Sequence, residues 1–182
     1  MFYALVYFPE IESKEFHEFR NKYEPFAGCI PEHIPLVFPV QDTINEDQLK
    51  DHIANVLNDF NPFDIHISGY YNSPDQWLFL VLKEGNDKVI ELHDRLYTGI
   101  LSKFLRKDLP YTPHIALGLF SNEKYNAETL VDELTFNLDK YQIAVSELEK
   151  LELDLWRNFD RLNLVKLNQN FTKCSNIYEF TL

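Results

Sequence analysis

Basic residues are scarce. Lys and Arg number 17 against 29 Asp and Glu, a formal net charge of −12. Duplexes and long single strands are gripped by clustered cations, so the charge weighs against a general nucleic-acid binder. It does not weigh against a small phosphate ester held by a few local donors. Cysteine is nearly absent, with Cys29 and Cys174 alone. A disulfide framework needs more, and no Cys/His spacing suits structural zinc. The pair reads as reduced thiols in a cytoplasmic protein. Glycine, at five residues, is too rare for fibrous or low-complexity chains. No glycine-rich phosphate loop occurs, so neither ATP nor another cofactor is expected. Long apolar runs are missing too. Phe2–Phe8 is too short for a membrane span and lacks the basic flank and cleavage site of a signal peptide. It reads as a first strand, and no membrane partner is expected.

What is present is a core. Hydrophobic residues make up 45% of 182 positions, enough for one domain over 1–182. Ser13 caps a short helix with Phe16, Phe19 and Tyr23 at helical spacing. His33–Val40 reads as a strand made irregular by Pro31, Pro35 and Pro39, and Pro35 marks an edge or bulge. Asn45 with Gln48 opens a second helix, striped by Leu49, Ile53, Leu57 and Phe60. Phe63–Tyr70 alternates strictly, and with Gln76–Lys83 it forms a hairpin. A long helix is expected over 87–105. A strand over 114–120 follows, then a helix over 128–138. Strands are expected at 141–146, 151–156, 162–167 and 177–182. His52 and His93 fall off the apolar stripes and read as solvent-facing.

A faint repeat runs through this pattern. His33-Ile34-Pro35-Leu36 returns as His114-Ile115-Ala116-Leu117, 81 positions on. Tyr141–Ser146 lines up with Phe63–Ser68. The expected fold is α+β and bilobal, with two similar strand–helix–strand–strand lobes whose antiparallel sheets face a central groove. With period two, His33 and Pro35 share one strand face, and His114, Ala116 and Gly118 the corresponding one. The opposite faces are apolar and belong to the core. Two imidazoles facing one groove suit proton transfer near neutrality. A lone strand histidine is more often structural, and the matched pair shifts that balance.

Paired strand histidines about eighty residues apart, in the settings Glu32–Pro39 and Thr112–Gly118, resemble the 2H phosphoesterase superfamily. That group includes 2′-5′ RNA ligases and 2′,3′-cyclic phosphodiesterases. Pro62–Gly69 is similar to that family's strand after its first helix. The resemblance implies a metal-independent phosphodiesterase. One of His33 and His114 would activate water or a hydroxyl, and the other would protonate the leaving ribose oxygen. The implied substrate is a small nucleotide or RNA end carrying a 2′,3′-cyclic phosphate or a 2′-5′ linkage, not a duplex.

The sequence departs from the family twice. Where the family has a Thr or Ser two residues after each histidine, this chain has Pro35 and Ala116. Neither side chain donates a hydrogen bond, and Pro35 also lacks a backbone N–H. Replacement donors are sought in His66 and Ser68, and in their repeat counterparts Gln142 and Ser146. Solvated strand faces would look the same. His66-Ile67-Ser68 lies only 48 positions before His114 and is treated as a decoy of the motif. Tyr111 is a candidate to stack on a base. Two alternatives stand beside the enzyme: a catalytically weakened nucleotide-binding or interaction protein of the same fold, and a zinc hydrolase using His33, His66 and His114, which no spacing requires.

Overall fold

The structure, a computed structural model, describes residues 1–41, 43–108, 110–123 and 134–182. Strand β1 (Phe2–Tyr7) leads through helix α1 (Lys14–Tyr23) to β2 (Ile34–Gln41). Helix α2 (Glu46–Leu57) precedes the hairpin β3 (Phe63–Asn72) and β4 (Trp77–Glu84). Helix α3 (Asn86–Leu96) leads to β5 (His114–Leu119), and α4 (Leu138–Leu148) to β6 (Asp154–Phe159), β7 (Arg161–Leu167) and β8 (Cys174–Thr181). The strands form two four-stranded antiparallel sheets, ordered β2-β1-β7-β8 and β5-β4-β3-β6. The architecture is the expected bilobal α+β arrangement.

The sequence dictates most elements directly. Ser13 Oγ accepts from Phe16 N and opens α1. Asn45 Oδ1 accepts from Gln48 N and opens α2. Leu49, Ile53 and Leu57 bury the α2 stripe. Ile65 and Ile67 of β3 are fully buried, with Leu82 of β4 opposite Ile67 and Leu80 opposite Ile115 of β5. These join Leu5, Ile34 and Leu36 of the other sheet in one hydrophobic core.

The repeat is real but framed differently from the sequence pattern. Each sheet contains a strand, a helix and an antiparallel edge strand: β1-α1-β2 in one, β4-α3-β5 in the other. The helix therefore precedes the histidine strand. Tyr141–Ser146 is not a strand but part of α4. Its alternation of Tyr141, Ile143 and Val145 is outweighed by the Asn137 cap, which accepts from Lys140 N, and by burial of Ala144 and Leu148 at helical spacing. Ile143 stays 56% exposed, as a helix permits and a buried strand face would not. Gln142 and Ser146 thus sit on a helix, not on a groove strand. The helix expected over 128–138 lies partly outside the described residues, and its described end, 134–137, is not helical.

Two further boundaries shift. The long helix stops at Leu96, because Gly99 takes a left-handed φ of +51° and starts a separate 3-10 turn, Gly99–Phe104. Within β5 the register slips opposite Leu78 and Phe79, so Gly118 leaves the face of His114 and Ala116. It opposes the buried Leu78 instead, and a Cβ there would lie 2.7 Å from Tyr23 Cβ and 3.1 Å from the Phe120 ring. That close approach seats α1 on β5. Gly118→Ala is expected to destabilise the protein by about 1–3 kcal/mol through overpacking, measured by urea unfolding. An unchanged midpoint would show that α1 can recede freely.

Candidate active site

The edge strands of the two sheets, β2 and β5, lie beside each other, and both candidate histidines sit at their N-terminal ends. His33 immediately precedes β2. Its Nδ1 lies 2.8 Å from the carbonyl oxygen of Pro31. His114 opens β5, with Nδ1 2.6 Å from the carbonyl oxygen of Thr112. A carbonyl only accepts, so in both rings Nδ1 carries the proton. Nε2 is then the basic nitrogen, and it has no protein partner among the described residues. The same bond, to the residue two positions earlier, holds both rings.

Their surroundings differ. His114 stacks on Phe79 of β4, with ring centroids 3.8 Å apart. His33 meets the edge of Phe8 at 6.4 Å. Both rings keep partial solvent access, yet protein packs around them closely enough to disfavour the charged form. Burial pushes His33 down to about 4, with smaller contributions in the same direction from Arg20 and His114, while the Pro31 carbonyl opposes the shift. Burial likewise pushes His114 down to about 4 against the Thr112 carbonyl.

Pro35 and Ala116 face no hydroxyl role, but their backbones are held. Pro35 opposes Val6 of β1 on an edge strand. Its carbonyl accepts from the Tyr111 hydroxyl at 2.9 Å, so its missing N–H points away from the sheet, where proline is tolerated. The Ala116 carbonyl accepts from Arg20 Nε at 3.2 Å.

Tyr111 is therefore a brace between the approach to β5 and strand β2. One face of its ring stacks on His93 at 3.8 Å, nearly parallel. Burial raises its hydroxyl far above the ordinary tyrosine value. His93 is itself only 4% exposed, contrary to the solvent-facing expectation, because it fills the space beneath Tyr111.

His66 and Ser68 lie on β3, on the same sheet face as His114 but with β4 in between. Trp156 of β6 stacks over His66 at 4.5 Å, and His66 Nε2 pairs with Asp154 Oδ1. Ser68 opposes Asp154. The fold does not bring His66 together with His33 and His114, so the three-histidine zinc site does not form. Among the described residues no group of three or more His, Cys, Asp or Glu is placed to hold a metal.

Sequence reasoning missed Arg20. It sits on the buried face of α1 among Phe16, Phe19 and Tyr23 and is 4% exposed. Its Nη2 donates to Glu24 Oε2 at 3.0 Å and to the Ile30 carbonyl at 3.4 Å. Its Nη1 lies 3.8 Å from Glu32 Oε2. Burial works against both charges of the Arg20–Glu24 pair, pulling the guanidinium down and pushing the carboxyl up, and their mutual attraction offsets this only in part. The signal was available: an arginine inside an apolar stripe, with a glutamate one turn on. A cavity of about 340 Å³ opens beside it, between α1 and residues 27–32, sharing Pro31 and Glu32 with the approach to His33.

Residues 8–162 match the family model described as 2′-5′ RNA ligase superfamily. No curated protein matches the chain. Among solved structures, TT0787 of Thermus thermophilus is similar at 18% identity and a TM-score of 0.61, covering 100% of this chain and 98% of its own. LigT of E. coli complexed with 3′-AMP is similar at 15% identity and a TM-score of 0.56, covering 100% and 96%. A structure titled as a phosphoesterase gives 14% identity and a TM-score of 0.56, covering 100% and 96%. At these identities the likeness is one of fold. No helix among the described residues is long and apolar enough to cross a membrane.

The lowered imidazoles carry a stability consequence. Unfolded, each histidine takes a proton near pH 6.5; folded, each resists protonation until about pH 4. The unfolded state therefore binds more protons in that window, and stability present above pH 6.5 is lost as pH falls toward 4. Thermal midpoints measured from pH 7 to 4.5 should decline, and the His33→Asn/His114→Asn variant should decline less steeply. Equal slopes would mean that neither ring is held neutral.

Proposed function

The chain belongs to the 2′-5′ RNA ligase superfamily, and from that premise we propose that it is a metal-independent phosphodiesterase acting through His33 and His114. The observation that carries the reading is the pair of rings held by identical Nδ1–H bonds, each presenting Nε2, at the ends of neighbouring edge strands. In the reaction, neutral Nε2 of one histidine takes a proton from water. The water oxygen bonds to phosphorus as the bond to one ribose oxygen breaks. The protonated Nε2 of the other histidine gives its proton to that leaving oxygen. The protein ends with its two protonation states exchanged.

The proposed substrate is a nucleotide or RNA end with a 2′,3′-cyclic phosphate or 2′-5′ linkage. The complex of LigT with 3′-AMP, at low identity, supports a nucleotide-sized ligand for this fold. The strong acidic charge disfavours long RNA. We further propose that the protein works in the cytoplasm.

Pro35 and Ala116 favour a second reading, a weakened or inactive nucleotide-binding relative. Each missing hydroxyl removes a donor of the kind worth on the order of 3 kcal/mol in the transition state. The two readings separate on one experiment. The four 2′,3′-cyclic nucleotides and a 2′-5′-linked oligonucleotide are incubated with wild type, His33→Ala and His114→Ala in the presence of chelator. The enzyme reading expects wild-type turnover and a loss of roughly 10²–10⁴-fold in each variant. An inert wild type would leave the binding role.

The pH profile follows from the same rings. In the free protein both histidines titrate at about 4, so the state with one proton between them peaks in acid and thins as pH rises. An anionic phosphate in the groove favours the protonated acid and raises its pKa. The optimum of kcat is therefore expected at higher pH than that of kcat/KM. Coincident optima would contradict this electrostatic account.

A further inference from the structure

We propose that Arg20 is a positioning residue whose guanidinium fork sets His33 against His114. This rests on the two-histidine reading above. The fork reaches both histidine segments at once. Nε binds the carbonyl of Ala116, two residues past His114. Nη2 binds the carbonyl of Ile30, three residues before His33, and Nη1 faces Glu32, its immediate neighbour. The second contact of Nη2, to Glu24, ties the fork to its own helix.

These contacts follow from the fold. Helix α1 lies on β5 because Gly118 lets Tyr23 approach closely. Arg20 stands one turn before Tyr23 and faces the same way, with Phe16 fully buried beneath it. Glu32 is fixed independently, since its Oε1 accepts from Ile11 N at 3.1 Å and lies 3.6 Å from His17 Nε2. The lead-in to β2 is thus pinned to α1 at Ile30 and Glu32, and α1 is pinned to β5 at Ala116. Arg20 is the member common to both.

The fork matters more than the charge. Two carboxylates, Glu24 and Glu32, face the guanidinium and offset part of its charge, and what remains lowers the pKa of His33 less than burial does. The Arg20 side chain is 5% exposed, and each of its three nitrogens already faces a protein oxygen. Three nitrogens aimed at three directions are something a lysine ammonium does not reproduce. The groups around His33 are the Pro31 carbonyl and Glu32 on its own segment, Phe8 after β1, Arg20 of α1 and His114 of β5.

The test compares Arg20→Lys, Arg20→Met and Glu24→Gln, each assayed below its thermal midpoint. Glu24→Gln removes the intrahelical ion pair and leaves both strand contacts in place. Arg20→Lys is expected to lower kcat roughly 10–100-fold, the scale of a small misplacement of reacting groups. Its KM should stay within about threefold, and the acid limb of kcat/KM should stay where it is because the charge remains. Arg20→Met should lower kcat similarly and move that limb to higher pH, since a cation beside His33 is lost. Glu24→Gln should keep kcat within about threefold. Wild-type kcat in Arg20→Lys, or a loss confined to KM, would overturn the proposal. If wild type turns over none of the substrates, the enzyme reading fails and ring NMR decides. Displacement of both histidine ring signals by Arg20→Lys, with neither moved by Glu24→Gln, supports the strut. Unmoved rings in Arg20→Lys overturn it.

Discussion

Two sheets that meet at their edges leave backbone carbonyls without a ladder partner, and a buried carbonyl must be paired. This constraint organises the centre of the molecule. Pro35 of β2 and Ala116 of β5 both turn their carbonyls away from their own sheets. Tyr111 pairs one and Arg20 pairs the other. Each donor comes from a segment tied to the opposite lobe, so satisfying the two carbonyls also draws the lobes together. His33 and His114 lie at the strand ends beside that junction.

The pairing holds, through their backbones, the two positions where the family pattern has a hydroxyl. In the family this chain belongs to, a side chain two residues after each histidine is expected to face the phosphate. Here those side chains are a proline ring and a methyl group, while their backbones have become anchor points. Burial of the two rings is the main reason both resist protonation.

Much of this was legible in the chain. The matched histidines, the capped helices at Ser13 and Asn45 and the strict alternation of Phe63–Tyr70 point to the bilobal sheets, and Pro35 to an edge or bulge in β2. The misreadings have physical causes. Tyr141–Ser146 alternates like a strand, yet the Asn137 cap and the Ala144–Leu148 spacing make it a helix. Gly118 changes face because a one-residue slip in β5 follows the needs of Tyr23 on another element. His66 carries a motif-like neighbour, yet strand order places β4 between it and His114. Strand order, register slips and the destination of a buried arginine are set by tertiary contacts, which periodicity along one chain does not encode.

The shared local bond of the two histidines has a consequence for direction. Both rings give Nδ1–H to a carbonyl two residues earlier, with no carboxylate behind either, and both are displaced to the same value. The bond at Nδ1 therefore marks neither ring as permanent donor or acceptor, and what distinguishes them is the Phe79 ring on His114 and the Arg20 cation near His33. In the proposed reaction it is then the orientation of the ester that would assign the parts. On that proposal an ester in the reversed orientation would meet the same two Nδ1-anchored rings with the parts exchanged, like a word read from either end, and choice between the two ribose oxygens would fall to whatever orients the sugar.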